Sequence, residues 1–349
     1  MSSWQRFALS PASSAATTDG ITAVSRIPTS MELWSFGQNG SVQGAFWYEG
    51  GQWTRYELAP AGSASNTSNI AAVSRISTSM ELWWTGQNYS IQGAFWYEGG
   101  QWGRYEVASA GSASITGGIT AVSRTSNAME LWWIGQDGSV QDAFWYDTAQ
   151  WQRFALAPAG SASETGGIKA VSRIPNSMEL WWIGQNGSVQ DAFWYGGGQW
   201  TRYELAPAGS ASINSGVTAV SRIPTSMELW WIGQDGSVQD AFWYDVVPSA
   251  EIDIQVIKNQ LGGDITVNGR HFSPGGRVQV SLLDVPHRVN PSEQRFVVAD
   301  SSGNITTTFF ERCTSQNPDD AFTNFTVTAL DANTGSSTAA SHSNAVFVC

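Results

Sequence analysis

The sequence predicts an all-β fold on three observations. Short segments rich in β-branched and aromatic residues recur along the 349 residues, and Gly, Asn, Asp, Ser or Pro bound each of them, which is the pattern of strands separated by turns. One stretch, residues 130–147 (ELWWIGQDGSVQDAFWYD), recurs five times. No 3.6-residue apolar period, which amphipathic helices would show, runs through these segments.

The recurring stretch belongs to a repeat of 49 residues, without insertion or deletion between copies. The tryptophan after Glu-Leu marks each copy, at Trp34, Trp83, Trp132, Trp181 and Trp230. A fixed period of this length is the signature of a repeat architecture. Asp137-Gly138 between two apolar runs predicts a type I′ hairpin, because both residue types tolerate positive φ.

Four strand-like segments make up each copy. In the third copy they are residues 119–124 (ITAVSR), 129–136 (MELWWIGQ), 139–146 (SVQDAFWY) and 150–157 (QWQRFALA). Four strands per repeat predict one blade of a β-propeller. A parallel β-helix would need shorter repeats, and a helical solenoid would need a helical period.

The array begins and ends out of phase with the repeat. Residues 4–9 (WQRFAL) match a fourth strand, whereas the fifth copy stops at Tyr244, in its third strand. The N-terminal strand is therefore predicted to complete the last blade and to close a five-bladed propeller over residues 1–246, so that no sheet edge stays open.

Residues 251–349 differ from the repeats and predict an immunoglobulin-like β-sandwich. They lack Trp, and alternating runs recur at 264–272, 277–284, 294–300, 305–310 and 325–332. Both cysteines, Cys313 and Cys349, lie here and predict a disulfide, with two free thiols as the alternative. A disulfide implies an oxidising compartment, so a secreted or cell-surface protein is expected.

The net charge limits the classes of partner that the protein is expected to bind. The formal net charge is −12, and the only lysines are Lys169 and Lys258, which argues against binding to nucleic acid because phosphates require clustered positive charge. No run of about 18 apolar residues exists, so membrane insertion is not expected. The histidines are too scattered for a metal signature, and no cofactor is expected.

The candidate carbohydrate-binding residues form four series: an arginine ending the first strand, a glutamate opening the second, and tryptophans in the third and fourth. They are Arg26, Glu32, Trp47, Trp53, Arg75, Glu81, Trp96, Trp102, Arg124, Glu130, Trp145, Trp151, Arg173, Glu179, Trp194, Trp200, Arg222, Glu228, Trp243 and Trp4. Indole packs on the apolar face of a sugar, and charged side chains bind its hydroxyls. In the third copy, Trp145 and Trp151 are expected to contact a sugar together with Glu130 and Arg124.

A structural interpretation of the same series stays open. Facing blades need an apolar core, which the Trp, Phe and Met series would supply, and an Arg–Glu pair would hold neighbouring blades together. One position varies between copies: Asp142, Asp191 and Asp240 replace Gly44 and Gly93, which indicates drift or tuning of a repeated site.

The unit AVSR followed by MELWWIGQDGSVQDAFWYDTAQWQRF resembles the repeat of bacterial propeller lectins that bind fucose and, more distantly, the fungal fucose lectins. The resemblance covers residues 1–245 and implies sugar sites in the grooves between blades. In the fungal-type repeat, an arginine of the second strand and a tryptophan closing the first hold fucose. Glu130 and Arg124 stand at those places here, so the fucose site itself does not carry over. The C-terminal domain resembles immunoglobulin-like modules of bacterial surface proteins.

A multivalent lectin that binds glycans in repeated grooves is therefore the leading hypothesis, because weak sites in a ring gain affinity through avidity. A non-catalytic propeller that binds other proteins is the alternative. A glycoside hydrolase is the third reading, and it is disfavoured because its acid and base need different environments, which repetition works against. No enzymatic activity is expected.

Overall fold

The structure is a computed structural model, and it describes residues 5–18, 20–147, 150–245, 249–259, 262–285, 293–312, 322–332, 335 and 337–346. Within these ranges every regular element is a strand, and the sheets are antiparallel. No helix in the described ranges is long and apolar enough to cross a membrane. Contacts divide the chain into two units, Met1–Asp245 and Val246–Cys349.

The first unit is a series of five sheets, one for each repeat. The first two sheets contain β1 (Ile21–Val24), β2 (Ser30–Phe36), β3 (Val42–Tyr48) and β4 (Thr54–Ala59), then β5 (Ile70–Val73), β6 (Ser79–Thr85), β7 (Ile91–Tyr97) and β8 (Gly103–Ala108). The third contains β9 (Ile119–Thr125), β10 (Ala128–Ile134), β11 (Val140–Tyr146) and β12 (Gln152–Ala157). The last two contain β13 (Ile168–Val171), β14 (Ser177–Ile183), β15 (Val189–Tyr195) and β16 (Thr201–Ala206), then β17 (Val217–Val220), β18 (Ser226–Ile232) and β19 (Val238–Tyr244). The predicted four-stranded repeat is therefore present.

The hairpin between the second and third strands differs from the predicted turn type. Gly138 has a φ of 71°, but Asp137 is not among the residues with positive φ, so the type I′ prediction was wrong. The backbone N–H of Gly138 donates to the carbonyl of Gly135, and the Asp137 carboxylate accepts from the backbone N–H of Ser139 at 3.0 Å. A type I turn followed by a left-handed glycine gives this longer loop.

Apolar cores lie between successive sheets. Trp34, Leu58, Met80, Leu82 and Trp84 form one buried cluster across the first and second blades. Equivalent clusters follow between the second and third, third and fourth, and fourth and fifth blades. Most of the indole surface of the second strands is therefore structural, as the core interpretation of the sequence expected.

The predicted closing strand is not formed in the structure. The fifth sheet has three strands, residues 5–8 belong to no strand, and Trp4 lies outside the described residues. The two end faces are consequently uncovered. Ile21 is 71% exposed whereas its equivalent Ile70 is 6% exposed, and Val238 in β19 is 71% exposed. The array of described blades thus ends without the pairing that closure requires.

The second unit is a sandwich of two antiparallel sheets. Its strands are β20 (Glu251–Asn259), β21 (Gly262–Arg270), β22 (Arg277–Val285), β23 (Glu293–Val298), β24 (Ile305–Arg312), β25 (Phe322–Asp331) and β26 (Ser337–Val346), in the orders β20-β21-β24 and β23-β22-β25-β26. Ile265, Val267, Val278, Val280 and Phe309 from both sheets form the buried core.

Five of these strands coincide with the predicted runs, and the first and last were missed. β26 consists mainly of small and polar residues with weak strand preference, so pairing with β25 determines it. The predicted disulfide cannot be assessed, because Cys313 and Cys349 lie outside the described residues.

Candidate functional site

Grooves open between the first and second blades and between the fourth and fifth blades. Between the first and second blades the volume of the groove is about 520 Å³, which is within the range of ligand pockets. The first blade contributes Glu32, Phe46, Tyr48, Tyr56, Glu57 and Leu58, and the second contributes Met80, Trp96, Gly100, Gln101 and Trp102.

Strand alternation decides which residues share a groove. In the third blade Glu130 is opposite Phe144 and Met129 is opposite Trp145. Because neighbouring residues of a strand point to opposite faces, Glu130 faces the fourth blade whereas Trp145 faces the second. The predicted grouping within one copy was therefore wrong: Trp194 and Trp200 join Glu130, and Trp145 and Trp151 belong to the preceding groove.

Four of the five predicted site sets are assembled in this shifted grouping. The grooves contain Arg26, Glu32, Trp96 and Trp102; Arg75, Glu81, Trp145 and Trp151; Arg124, Glu130, Trp194 and Trp200; and Arg173, Glu179 and Trp243. Trp47 and Trp53 have no preceding blade to face in the described array. Arg222 and Glu228 likewise have no following blade.

The arginine at the end of the first strand connects two blades. The guanidinium of Arg26 lies 5.6 Å from the centre of the Tyr48 ring and 5.1 Å from that of Trp96 in the next blade. It also donates to the carbonyl of Ser77 and, at 2.9 Å, to the Tyr48 hydroxyl. Its side chain is only 4% exposed. Arginine therefore holds the blades through cation–π contacts and a backbone carbonyl.

The arrangement recurs in the next three interfaces. Arg75, Arg124 and Arg173 lie 5.1, 4.9 and 4.5 Å from the ring centres of Trp145, Trp194 and Trp243. In all four arginines the buried Nε has no hydrogen-bond partner. An unpaired buried donor is costly, and the same donor is unpaired in four interfaces.

No ion pair joins the arginine and glutamate series in the described part of the chain. The ion pair of Arg26 is instead with Glu98 of the second blade, at 3.9 Å. A pair between the repeated arginines and the repeated glutamates therefore does not link the blades, whereas Arg26 links them through Glu98 and its other contacts.

The glutamates are buried at 2–4% exposure in the first four blades. Burial is the main cause that raises the pKa of Glu32 to about 7 and that of Glu81 to about 8, and the neighbouring arginine opposes the rise. The Tyr195 hydroxyl donates to Glu179 Oε1 at 2.9 Å, and Tyr146 donates to Glu130 in the same way. Each groove thus offers a dry carboxyl group whose charge changes near neutral pH.

The tryptophan that begins the fourth strand lies against the first tryptophan of the preceding blade. Trp102 meets Trp34 edge to face at 5.8 Å and stacks on Tyr56 at 6.4 Å, with 22° between the ring planes. Trp151 repeats both contacts with Trp83 and Tyr105. These rings form a wall of the groove as well as part of the core.

Three further series line the groove and were not among the predicted site residues. They are the phenylalanine and tyrosine of the third strand and the aromatic residue of the fourth, for example Phe46, Tyr48 and Tyr56. The signal was available, because the pairing of the second and third strands places Phe46 on the face of Glu32. Among the described residues no three His, Cys, Asp or Glu side chains gather as a metal-ligand set.

Comparison with known proteins identifies solved structures with a similar fold. No family model and no curated protein matches the chain. Among solved structures, the chain is similar to the BP39L lectin from Burkholderia pseudomallei, with a TM-score of 0.60, 16% identity, and 97% of this chain and 99% of that chain covered. AofleA from Arthrobotrys oligospora gives a TM-score of 0.53 at 14% identity, covering 87% and 92%.

A third similar structure is the SapL1 lectin in complex with alpha methyl fucoside, with a TM-score of 0.51, 16% identity, and 83% and 97% of the two chains covered. Bacterial and fungal lectins of this type thus share the fold of this chain. The resemblance drawn from the repeats is confirmed for the fold.

Proposed function

We propose that the protein is a non-catalytic, multivalent lectin whose sugar sites are the grooves between successive blades. One observation carries the proposal: the same set of a buried carboxyl, an unpaired arginine Nε and aromatic walls recurs in four interfaces. The structural similarity to the BP39L and SapL1 lectins supports it.

Each part of the groove suits a different part of a sugar. The rings of Trp96 and Tyr48 offer apolar surface to the C–H face of a pyranose. The Glu32 carboxyl accepts a hydrogen bond from a sugar hydroxyl. SapL1 was crystallised with a methyl fucoside, which makes fucosides the first ligands to test.

We also propose that residues 4–9 close the array as a fifth blade's fourth strand. These residues are identical to residues 151–156, the fourth strand of the third copy, and both the third and fifth copies carry Asp in the preceding strand, at Asp142 and Asp240. The uncovered edge of β19 is the complementary place for them.

The second unit fits an immunoglobulin-like module, because its three-plus-four strand order keeps β22, β25 and β26 together in one sheet. We propose it as a spacer or attachment domain of a secreted or surface protein.

A glycan array on the intact protein, followed by titration calorimetry with the best ligand, tests the lectin function. Several equivalent sites per chain are expected. W96A should remove about one site while the others keep their affinity, because each groove is separate. The exposed Arg153 provides the matched control, R153A, which should bind as the parent does.

No binding across fucosylated, methylated, mannose and galactose ligands would overturn the proposal. A single site that W96A abolishes altogether would also contradict it, because repeated grooves require partial loss.

A further inference from the structure

The grooves are of two kinds, and one residue of the third strand separates them. Across from the aromatic residue of the fourth strand stands Gly44 or Gly93 in the first two blades and Asp142 or Asp191 in the next two. The corresponding fourth-strand residues are Tyr56, Tyr105, Phe154 and Tyr203.

Where glycine is present, the tyrosine fills the space. Trp34 Nε1 donates to the Tyr56 hydroxyl at 3.0 Å, and a Cβ on Gly44 would lie 2.3 Å from Tyr56 Cζ. In the second blade Trp83 donates to Tyr105 at 2.9 Å in the same way. The tyrosine ring therefore occupies this position only because glycine lacks a side chain.

Where aspartate is present, its carboxyl replaces the tyrosine hydroxyl. Trp132 Nε1 donates to Asp142 Oδ2, and Trp181 Nε1 to Asp191 Oδ2, both at 2.6 Å. The fourth-strand rings are more exposed there, at 38% for Phe154 and 45% for Tyr203, and the Tyr203 hydroxyl donates to Asp191 Oδ2 at 2.9 Å. The exchange thus changes both the charge and the shape of the groove.

The groove between the fourth and fifth blades holds an unpaired carboxylate oxygen. Asp191 is 3% exposed, and its Oδ1 has no hydrogen-bond partner. It lines a cavity of about 290 Å³ with Glu179, Trp181, Phe193 and Trp243. This carboxylate oxygen can only accept hydrogen bonds, so a ligand group that pairs with it must be a donor.

We propose that this groove binds a sugar that carries a protonated amine, held by Asp191 and Glu179 between the aromatic walls, and that the glycine-bearing grooves bind neutral sugars. The inference rests on the proposed lectin function. An ammonium group offers only donors, pairs with carboxylates and interacts favourably with aromatic faces. A neutral sugar offers the buried Asp191 carboxylate a hydrogen bond but no counter-charge.

The charges around the cavity favour a cation. The ionisable groups that face it or lie at its rim are Arg173, Glu179, Asp191, Tyr195, Tyr203 and Glu228. Arg173 is already engaged by Tyr195, Trp243 and the carbonyl of Pro224. Three carboxyl groups, those of Glu179, Asp191 and Glu228, thus lie at the cavity against one arginine, whose two Nη atoms already donate to Pro224 and Tyr195.

The same arrangement predicts that the protein releases a proton when an ammonium group binds. Burial, and secondarily Asp191, raises the pKa of Glu179 to about 8, and burial raises the pKa of Asp191 to about 6. At pH 7 Glu179 therefore keeps a proton in the empty groove. An ammonium that enters makes the ionised carboxylate favourable, so the proton leaves to the buffer.

Titration calorimetry of the intact protein with glucosamine tests the proposal, with N-acetylglucosamine and glucose as matched neutral probes. Glucosamine should bind at least tenfold more tightly than either, and experiments in two buffers of different ionisation enthalpy should reveal proton release. D191G should remove one glucosamine-preferring site, because it reproduces the glycine and tyrosine pair of the first blade while Asp142 of the third blade remains. D147N, at an exposed turn position, controls for a general charge effect.

Equal affinity for glucosamine and N-acetylglucosamine, or an unchanged number of glucosamine-preferring sites in D191G, would overturn the inference. Multivalent binding of neutral sugars without any amine preference would overturn it while leaving the lectin function intact. If no sugar binds, both the inference about the amine sugar and the proposed lectin function are refuted.

Discussion

Gly44 and Tyr56 face each other across β3 and β4, with the tyrosine ring in the space that a Cβ on the glycine would occupy. That ring stacks on Trp102 of the next blade. The glycine is therefore required by a close approach of a side chain rather than by a turn, and the interface between two blades depends on it.

Replacement of Gly44 by alanine should lower the free energy of unfolding by about 1 to 3 kcal/mol, the usual cost of overpacking. Urea unfolding followed by tryptophan fluorescence measures this. G216A is the control, because a Cβ at Gly216 would meet nothing within 4 Å. Equal stability of G44A and G216A would refute the steric argument.

Arg75 should contribute strongly to stability although it lies at the end of a strand. It contacts Tyr97 and Trp145 and donates to the carbonyl of Ser126. R75A should cost about 2 to 4 kcal/mol, the combined scale of a desolvated cation–π contact and a charged hydrogen bond. Thermal unfolding of R75A beside R153A, an exposed arginine of the fourth strand, measures the difference. A change below about 0.5 kcal/mol, typical of a surface substitution, would show that the contact does not hold the blades.

The repeat length and the strand content could be predicted because the 49-residue period and the aromatic runs are local properties of the sequence. The site residues were also identifiable, since Arg26 and Glu32 recur in every copy. Their grouping was missed because it depends on which face each strand residue takes. The register that pairs Met129 with Trp145 sends that indole toward the preceding blade.

The turn at Asp137 and the unpaired N-terminal segment were missed for a different reason. The carboxylate of Asp137 competes for the backbone N–H of Ser139 and so stabilises a longer loop than dipeptide preference predicts. The pairing of residues 4–9 with the fifth blade requires contacts between the two ends of the array, which are distant in sequence.

Stability should fall as the pH rises from about 5 to 8. The pKa of the buried glutamates is raised in the folded protein, to about 7 for Glu32 and Glu130 and about 8 for Glu81 and Glu179. The folded state therefore binds more protons than the unfolded state in this window, and each retained proton lowers the free energy of unfolding by about 1.4 kcal/mol per pH unit.

Urea unfolding of E81Q across this range isolates one such group. The neutral amide removes the titration, so the slope with pH should be smaller than in the parent protein. E49Q, at an exposed turn position, should leave the slope unchanged. A parent whose stability rises between pH 5 and 8 would contradict the burial of uncharged glutamates.

The effect of replacing Arg222 on stability distinguishes a closed ring from the open array. If residues 4–9 complete the fifth blade and bring it against the first, Arg222 gains Trp47 as the partner that Trp243 is for Arg173. R222A should then cost about as much as R173A, about 2 to 4 kcal/mol. In an open array R222A would change stability by less than about 0.5 kcal/mol, because its side chain faces solvent. Urea unfolding of both variants, repeated in a chain that lacks residues 1–9, decides the question: deletion of the strand should make R222A neutral while R173A remains costly.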